Sequence, residues 1–189
     1  MLYILGGASR SGKSIISRRF VKVLGIPFFS LDFLVTSLQD IPSLHIKHNQ
    51  PFIEKSENIW PMAKNMLSHI ISEEPNYLIE GDGILPGQVT ELSQLHPNSI
   101  QSAFVGYTEM SAEVKLKEIR KFGGQKDDWT LNYSNDEMEN YITDMIEFSK
   151  YLKTECEKNN IPFFDVSSDF SNKIDEVFNY FKQTTVVVK

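Results

Sequence analysis

The sequence contains almost no cysteine and no long apolar segment, and each shortage excludes a class of protein. Cys156 is the only cysteine among 189 residues, so the chain cannot form an internal disulfide, and a reducing cytoplasmic location is expected. No stretch approaches the roughly 20 apolar residues of a membrane span. The N-terminus also lacks a basic segment followed by an apolar run, so no signal peptide is predicted. We therefore expect no membrane partner.

Positive charge is also scarce. The chain has 19 Lys and Arg against 25 Asp and Glu, a net charge of −6, and this balance argues against general nucleic-acid binding. The hydrophobic content of 41% and the charged content of 23% are ordinary for a globular protein. The length suits a single domain over residues 1–189. A small-molecule partner is expected, with the protein as a monomer or a homodimer.

The most informative stretch lies at the start of the chain. Residues 2–5 are apolar and predict a short buried strand, and Gly6 and Gly7 interrupt it. Residues 7–14 then read G-x-x-x-x-G-K-S, and a helical pattern follows at once. This is the phosphate-binding loop pattern in the strand–loop–helix context that it requires.

Each residue type in this loop suits phosphate binding. Glycine permits positive φ and close backbone approach, and successive N–H groups at a helix N-terminus bind anionic oxygens. The Lys13 ammonium can reach the terminal phosphates of a nucleotide, and the Ser14 hydroxyl can bind Mg²⁺. The predicted ATP-binding residues here are Gly7, Ala8, Ser9, Arg10, Ser11, Gly12, Lys13, Ser14 and Ile15.

Apolar strand-like segments alternate with helical segments five times along the chain. The strands are predicted near residues 2–5, 27–31, 77–79, 100–107 and 162–166, with helical periodicity between them. Such alternation predicts an α/β fold in which a parallel sheet carries helices on both faces.

Three carboxylates follow predicted strands at the edge where a parallel sheet binds ligands. Asp32 follows the second strand, and Glu80 and Asp82 follow the third. Phosphoryl transfer requires a metal ion and a positioned acceptor hydroxyl. Glu80 is predicted to hold Mg²⁺ together with Ser14, and Asp32 to orient or deprotonate the acceptor as a catalytic residue. Asp82 could perform either task or bind the acceptor; strand-end carboxylates that only cap turns are the alternative.

A basic segment is predicted to form a small lid over about residues 120–135. Arg120 ends a helical pattern just before two glycines and a polar stretch. A lid residue of this kind could stabilise the transferred phosphoryl group, so Arg120 is a candidate catalytic residue. The alternative is a cation that interacts with the helix dipole.

These features together resemble the P-loop kinases of the nucleoside and nucleotide kinase group. The similarity covers the loop, Ser30-Leu31-Asp32, the acidic end of strand three, the lid and Asp165-Val166-Ser167. The resemblance implies a three-layer P-loop NTPase fold with strand order 2-3-1-4-5, and ATP with Mg²⁺ as cofactors. It also places Ser167 beside the bound base and an acceptor-binding segment at about residues 32–72. The ending Leu78-Ile79-Glu80-Gly81 is similar to uridine kinases and 2-phosphoglycerate kinases.

Two other functions remain open at the level of sequence. Residues 172–175 read N-K-x-D, the guanine-recognition pattern of GTPases, but their helical spacing favours coincidence. A regulatory ATP- or GTP-binding protein without acceptor phosphorylation is the alternative to a kinase that phosphorylates a hydroxyl or phosphate of a small acceptor.

Overall fold

The computed structural model describes residues 1–47, 50–73, 76–123 and 128–185. Its centre is a five-stranded sheet in the order β2-β3-β1-β4-β5, in which every pairing is parallel. The strands are β1 (Leu2–Gly7), β2 (Phe28–Ser30), β3 (Tyr77–Gly81), β4 (Ile100–Gly106) and β5 (Phe163–Asp165). The predicted α/β class and the strand order 2-3-1-4-5 are confirmed.

The helices connect successive strands, as parallel pairing requires. They are α1 (Lys13–Arg19), α2 (Leu31–Leu38), α3 (Phe52–Glu73), α4 (Pro86–Leu95), α5 (Ala112–Phe122), α6 (Asn135–Lys158) and α7 (Phe170–Thr185). One turn of π-helix, Phe20–Leu24, continues α1, and short 3₁₀ turns occupy Pro42–Leu44 and Trp129–Asn132. No helix of the described ranges is long and apolar enough to cross a membrane.

β1 lies at the centre of the sheet, and all six of its residues are buried. Neighbouring strands flank it on both sides and helices cover both faces, so an uninterrupted apolar run is the expected sequence for this position. On one face Tyr3 contacts the rings of Phe20 and Phe181 edge-on, with centroid distances of 5.5 and 6.0 Å. This packing anchors the first half of β1 against α7 and the π-helical turn after α1.

Several boundaries differ from the sequence prediction. The apolar spacing of residues 59, 62, 66 and 70 predicts a helix from about Ser56, whereas α3 begins at Phe52 and contains Pro61 in its interior. Residues 134–137 read S-N-D-E, which predicts a capping box. It is present, because Ser134 and Glu137 each accept a hydrogen bond from the other's backbone N–H. The α7 helix includes residues 172–175, so the N-K-x-D pattern does not end a strand. The part of the predicted lid at residues 124–127 lies outside the described residues.

The sheet register brings the predicted functional segments to one edge. Gly6 of β1 pairs with Gly81 of β3, and Glu80 of β3 pairs with Ser30, the last residue of β2. The chain therefore leaves β1, β2 and β3 at nearly the same level, and the loop, Asp32 and Asp82 follow directly from these three ends.

Candidate active site

The phosphate loop adopts backbone angles that its glycines make possible. Gly7 and Gly12 have φ values of 142° and 98°, and Arg10 also has a positive φ of 59°. A Cβ on Gly7 would lie 2.0 Å from the carbonyl oxygen of Val105, so no other residue fits there without a backbone shift. Ala8 N–H donates to the same carbonyl at 3.0 Å. The loop is thus held against β4 at the point where its turn begins.

Lys13 folds back over this loop. Its Nζ donates to the carbonyl oxygens of Gly7 (3.0 Å) and Ala8 (2.8 Å), and the residue is only 8% exposed. Ser14 lies beside it at the N-terminus of α1 with an exposed side chain. The ammonium and the hydroxyl therefore lie at adjacent positions, as phosphate and metal binding require.

The Ser11 hydroxyl provides independent evidence that the loop suits an anionic ligand. Among the side chains that the structure describes, the Ser11 Oγ is the one buried polar atom without a hydrogen bond. A buried hydroxyl without a partner costs about 1–3 kcal/mol, and this one lies inside the phosphate loop. The residues present thus fit a bound nucleotide phosphate.

A buried ion pair lies next to the phosphate loop. Lys55 Nζ lies 3.0 Å from the Asp82 Oδ1, and the two side chains are 4% and 7% exposed. Ser9 of the loop donates to the other carboxylate oxygen of Asp82 at 3.1 Å. Asp82 therefore links the phosphate loop to α3, the helix that carries Lys55.

The environment of Asp82 keeps it ionised. Burial raises the pKa of its carboxyl, but the charges of Lys55 and Lys13 and the hydrogen bonds from Lys55 and Ser9 outweigh burial, and the net shift is downward. Asp82 is thus a permanent negative charge at neutral pH and a poor candidate for a proton acceptor.

The pKa of Asp32 is shifted upward, in the opposite direction to that of Asp82. It lies in the first turn of α2, where Ser30 caps the helix by accepting from Asp32 N–H at 3.4 Å. Burial and the charges of Asp82 and Glu80 raise the pKa of Asp32 to about 6, although Lys13 and Lys55 oppose the shift. The residue itself is exposed to solvent, so the loss of hydration comes from the protein atoms that crowd one side of the carboxyl. A carboxyl with this pKa is suited to take a proton near neutral pH.

Glu80 is the third carboxylate at this edge of the sheet. It is 5% exposed at the end of β3, and its position next to β1 brings it to the level of Leu5. Its charge contributes to the raised pKa of Asp32. Glu80 thus shares one electrostatic environment with Asp32 and Asp82, as the strand order predicts.

Aromatic side chains flank these carboxylates. Tyr141 of α6 packs edge-on against Phe52 (6.0 Å) and Trp129 (5.3 Å). Burial raises the pKa of Tyr141, as do the charges of Asp82 and Asp32, although a hydrogen bond with Ser9 lowers it. Ser9 therefore connects the Tyr141 hydroxyl to Asp82, and the rings of Phe52 and Trp129 pack against the Tyr141 ring.

Arg10 links the loop to the residues predicted as the lid. It forms an ion pair with Asp128, and its guanidinium lies 5.5 Å from the centre of the Trp129 ring. Asp128 is 4% exposed and also accepts from Thr130 N–H (3.1 Å) and Thr130 Oγ1 (2.7 Å). The described end of the predicted lid segment is therefore attached to the phosphate loop.

Arg120 forms its hydrogen bonds with residues 130–135, at the other end of the predicted lid. It donates to the carbonyl oxygens of Thr130 (2.7 Å) and Tyr133 (2.8 Å) and to the Asn135 side chain (3.1 Å). In this arrangement Arg120 positions the segment from Thr130 to Asn135. Its predicted role at the transferred phosphoryl group would require these hydrogen bonds to change.

Ser167 lies in a hydrogen-bonded turn after β5. Its hydroxyl donates to Asp165 at 2.5 Å and accepts from Glu109 N–H at 2.9 Å. Thr108 also donates to Asp165, so this carboxylate connects the ends of β4 and β5. The start of α7 then packs on the loop, because a Cβ on Gly12 would lie 3.0 Å from the Phe170 ring.

Sequence reasoning missed several residues of this site. It found the loop and the strand-end carboxylates but not Lys55, Tyr141 or Asp128, which reach the site from α3, α6 and the lid. A lysine within a helical pattern carries no local signal of burial. Only the tertiary position of α3 places Lys55 beside Asp82.

Comparison with known proteins yields structural matches only: no family model and no curated protein sequence matches the chain. Similar solved structures include shikimate kinase from Bacteroides thetaiotaomicron (TM-score 0.58, 17% identity, 98% of each chain covered). A gluconokinase from Sinorhizobium meliloti 1021 has a TM-score of 0.58 and 15% identity, over 97% of this chain and 91% of its own. A sugar kinase from Janibacter sp. HTCC2649 has a TM-score of 0.55 and 14% identity, over 96% and 94%. The chain has the P-loop kinase fold of these proteins.

Proposed function

We propose that the protein is an ATP- and Mg²⁺-dependent kinase that transfers the γ-phosphoryl group to a hydroxyl or phosphate of a small-molecule acceptor. The observation that carries this proposal is the meeting of the phosphate loop with Asp32, Glu80 and Asp82 at one edge of the sheet. A phosphate loop alone also suits a nucleotide switch. A carboxyl with a pKa raised to about 6 next to it is the additional feature that acceptor activation requires.

The residues take distinct roles in this proposal. Backbone N–H groups of residues 7–15 and the Lys13 ammonium bind the phosphates of ATP, and Ser14 and Glu80 hold Mg²⁺, which supplies charge neutralisation when bound. Asp32 orients the acceptor hydroxyl and accepts its proton. Asp82 and the ion pair that it forms shape the acceptor side of the cleft.

The same proposal assigns roles to the surrounding segments. Residues 32–72 would contribute most acceptor contacts, because they supply Asp32 and Lys55. Residues 120–135 would close over the cleft, and the Arg10–Asp128 pair would have to rearrange as the loop binds phosphate. Arg120 would either remain a positioning residue of the lid or move to the phosphoryl group. Ser167 would lie beside the base.

The structural neighbours support small-molecule phosphorylation as the reaction class. Their names point to shikimate, gluconate and sugars as acceptors, whereas the resemblance of the sequence points to nucleosides, nucleotides or phosphorylated metabolites. A GTP-dependent switch is less well supported, because residues 172–175 lie within α7 and not after a buried strand.

An acceptor panel with ATP and Mg²⁺ tests this function. ADP release would be measured with shikimate, gluconate, hexoses, nucleosides and nucleoside monophosphates, each with the wild type and with Asp32→Asn. We expect at least one acceptor to stimulate ADP release and Asp32→Asn to reduce the stimulated rate. Nucleotide binding without any acceptor stimulation would favour the regulatory alternative.

A further inference from the structure

The cations around the acceptor side of the cleft are already engaged within the protein. Lys55 forms a buried ion pair with Asp82, and Arg10 forms a partly exposed ion pair with Asp128. Arg120 donates to the lid carbonyls. Lys13 lies on the loop carbonyls, where ATP phosphates would bind it. An anionic acceptor would therefore have to displace an existing partner in order to reach one of these charges.

On the acceptor side of the site, carboxylates outnumber ammonium groups. If Glu80 is assigned to Mg²⁺ and Lys13 to ATP, the acceptor side contains two carboxylates, Asp32 and Asp82, and one ammonium, Lys55. Asp32 has no ion-pair partner among the described residues, and a bound acceptor hydroxyl must approach it closely. A second anion about 5 Å from Asp32 would bind roughly tenfold less well, for an effective dielectric constant between those of protein and water.

The carboxylate and the aromatic side chains on the acceptor side suit a hydroxylated ligand. A carboxylate accepts several hydrogen bonds and donates none, so Asp32 pairs well with hydroxyl groups. Tyr141 forms a hydrogen bond with Ser9, which itself donates to Asp82, and the Tyr141 ring packs on Phe52 and Trp129. Aromatic rings beside hydrogen-bond acceptors offer an apolar surface for the carbon skeleton of a sugar, sugar alcohol or nucleoside.

We propose that the acceptor is an uncharged polyhydroxyl compound, and that Asp82 sets this preference because it neutralises Lys55. The inference rests on the kinase function proposed above and narrows it. Without the charge of Asp82, Lys55 would be a buried cation that lacks an anionic partner and would attract a carboxylate or phosphate of the acceptor. The Asp82–Lys55 pair is then a specificity determinant that excludes acidic acceptors.

The experiment compares acceptors that differ in charge but share a hydroxyl skeleton. Sorbitol is compared with gluconate, and adenosine with AMP. Two quantities are measured for each pair: kcat/KM for ADP release, and the shift of the melting temperature in the presence of a non-hydrolysable ATP analogue. For at least one pair we expect the wild type to favour the neutral member by about tenfold or more.

Two substitutions test the role of the ion pair in opposite directions. Asp82→Asn keeps the shape and leaves Lys55 charged, so the neutral-to-anionic ratio should fall by about tenfold. Lys55→Gln leaves Asp82 charged, so the ratio should stay the same or rise. Glu91→Gln is the matched control, because Glu91 pairs with Lys64 on an exposed surface between α3 and α4, and it should leave the ratio unchanged.

The outcomes separate the two proposals. A wild type that favours the neutral member of neither pair, or an Asp82→Asn ratio equal to that of the wild type, would overturn the charge preference. Binding of neither member of either pair would also overturn it. If the neutral members bind selectively but no acceptor is phosphorylated, the preference stands and the kinase function fails.

Discussion

The buried Lys55–Asp82 pair allows one prediction to be worked out in detail. Replacement of Lys55 by Met removes the ammonium but keeps much of the side-chain volume, and it leaves Asp82 buried with Ser9 as its hydrogen-bond donor. Loss of one partner of a buried pair costs about 3–5 kcal/mol, because a desolvated charge remains. For a chain of this length we expect the melting temperature to fall by roughly 6–20 °C.

The loss should depend on pH in a defined direction. In the wild type the pKa of Asp82 lies below 3.8, so its charge stabilises the fold at pH values above 3.8, and this stability is lost as the pH falls through the folded pKa. In Lys55→Met, burial is no longer offset by Lys55, and the pKa of Asp82 should rise. The cost of the substitution is then largest near pH 7 and shrinks as Asp82 becomes protonated in acid.

Urea unfolding at pH 7.5 and at pH 5 measures this effect. The matched control is Lys64→Met, which removes an exposed pair with Glu91 at 2.5 Å, and its destabilisation should be much smaller at both pH values. Equal losses for the two variants, or a loss in Lys55→Met that does not shrink at pH 5, would refute the account of Asp82 as a buried ionised group.

Three further predictions concern the loop, the acceptor side and the lid. Asp32→Asn should lower kcat with little change in ATP affinity. The wild-type kcat/KM should decline below about pH 6, because Asp32 becomes protonated. A pH profile that is flat down to pH 5 would contradict this. Gly7→Ala should abolish ATP binding in a titration, because its Cβ would meet Val105, whereas Gly87→Ala, with open space around its Cβ, should bind normally. Arg120→Met should increase proteolysis near Thr130, where two lid hydrogen bonds would be lost; unchanged cleavage would show that Arg120 does not hold the lid.

Local patterns were sufficient to predict much of this structure. The loop pattern at residues 7–14 placed glycine where positive φ is permitted, and both Gly7 and Gly12 adopt it. The alternation of strands and helices predicted the parallel sheet, and the resemblance added the strand order. The position of Asp32 after a short strand was then enough to place it beside Glu80.

The remaining features depend on long-range packing. The helix α3 begins at Phe52, in a region where prolines obscured the periodicity, and Lys55 on its first turn carries no sequence signal of an ion pair. Arg10 was assigned to the phosphate loop, and its pairing with Asp128, 118 residues away, could not be read from either segment. Charge partners between distant elements follow only from the tertiary structure.

The most direct test of the central claim is transfer of a labelled γ-phosphoryl group from ATP to an acceptor by the wild type and by Lys13→Ala. The account predicts a labelled acceptor with the wild type and a rate lowered by about 10²–10³-fold in Lys13→Ala. Arg18→Ala, on the exposed surface of the same helix, should retain the wild-type rate. Labelled product formed equally well by Lys13→Ala, or no labelled product with any acceptor of the panel, would contradict the assignment of this site as a kinase active site.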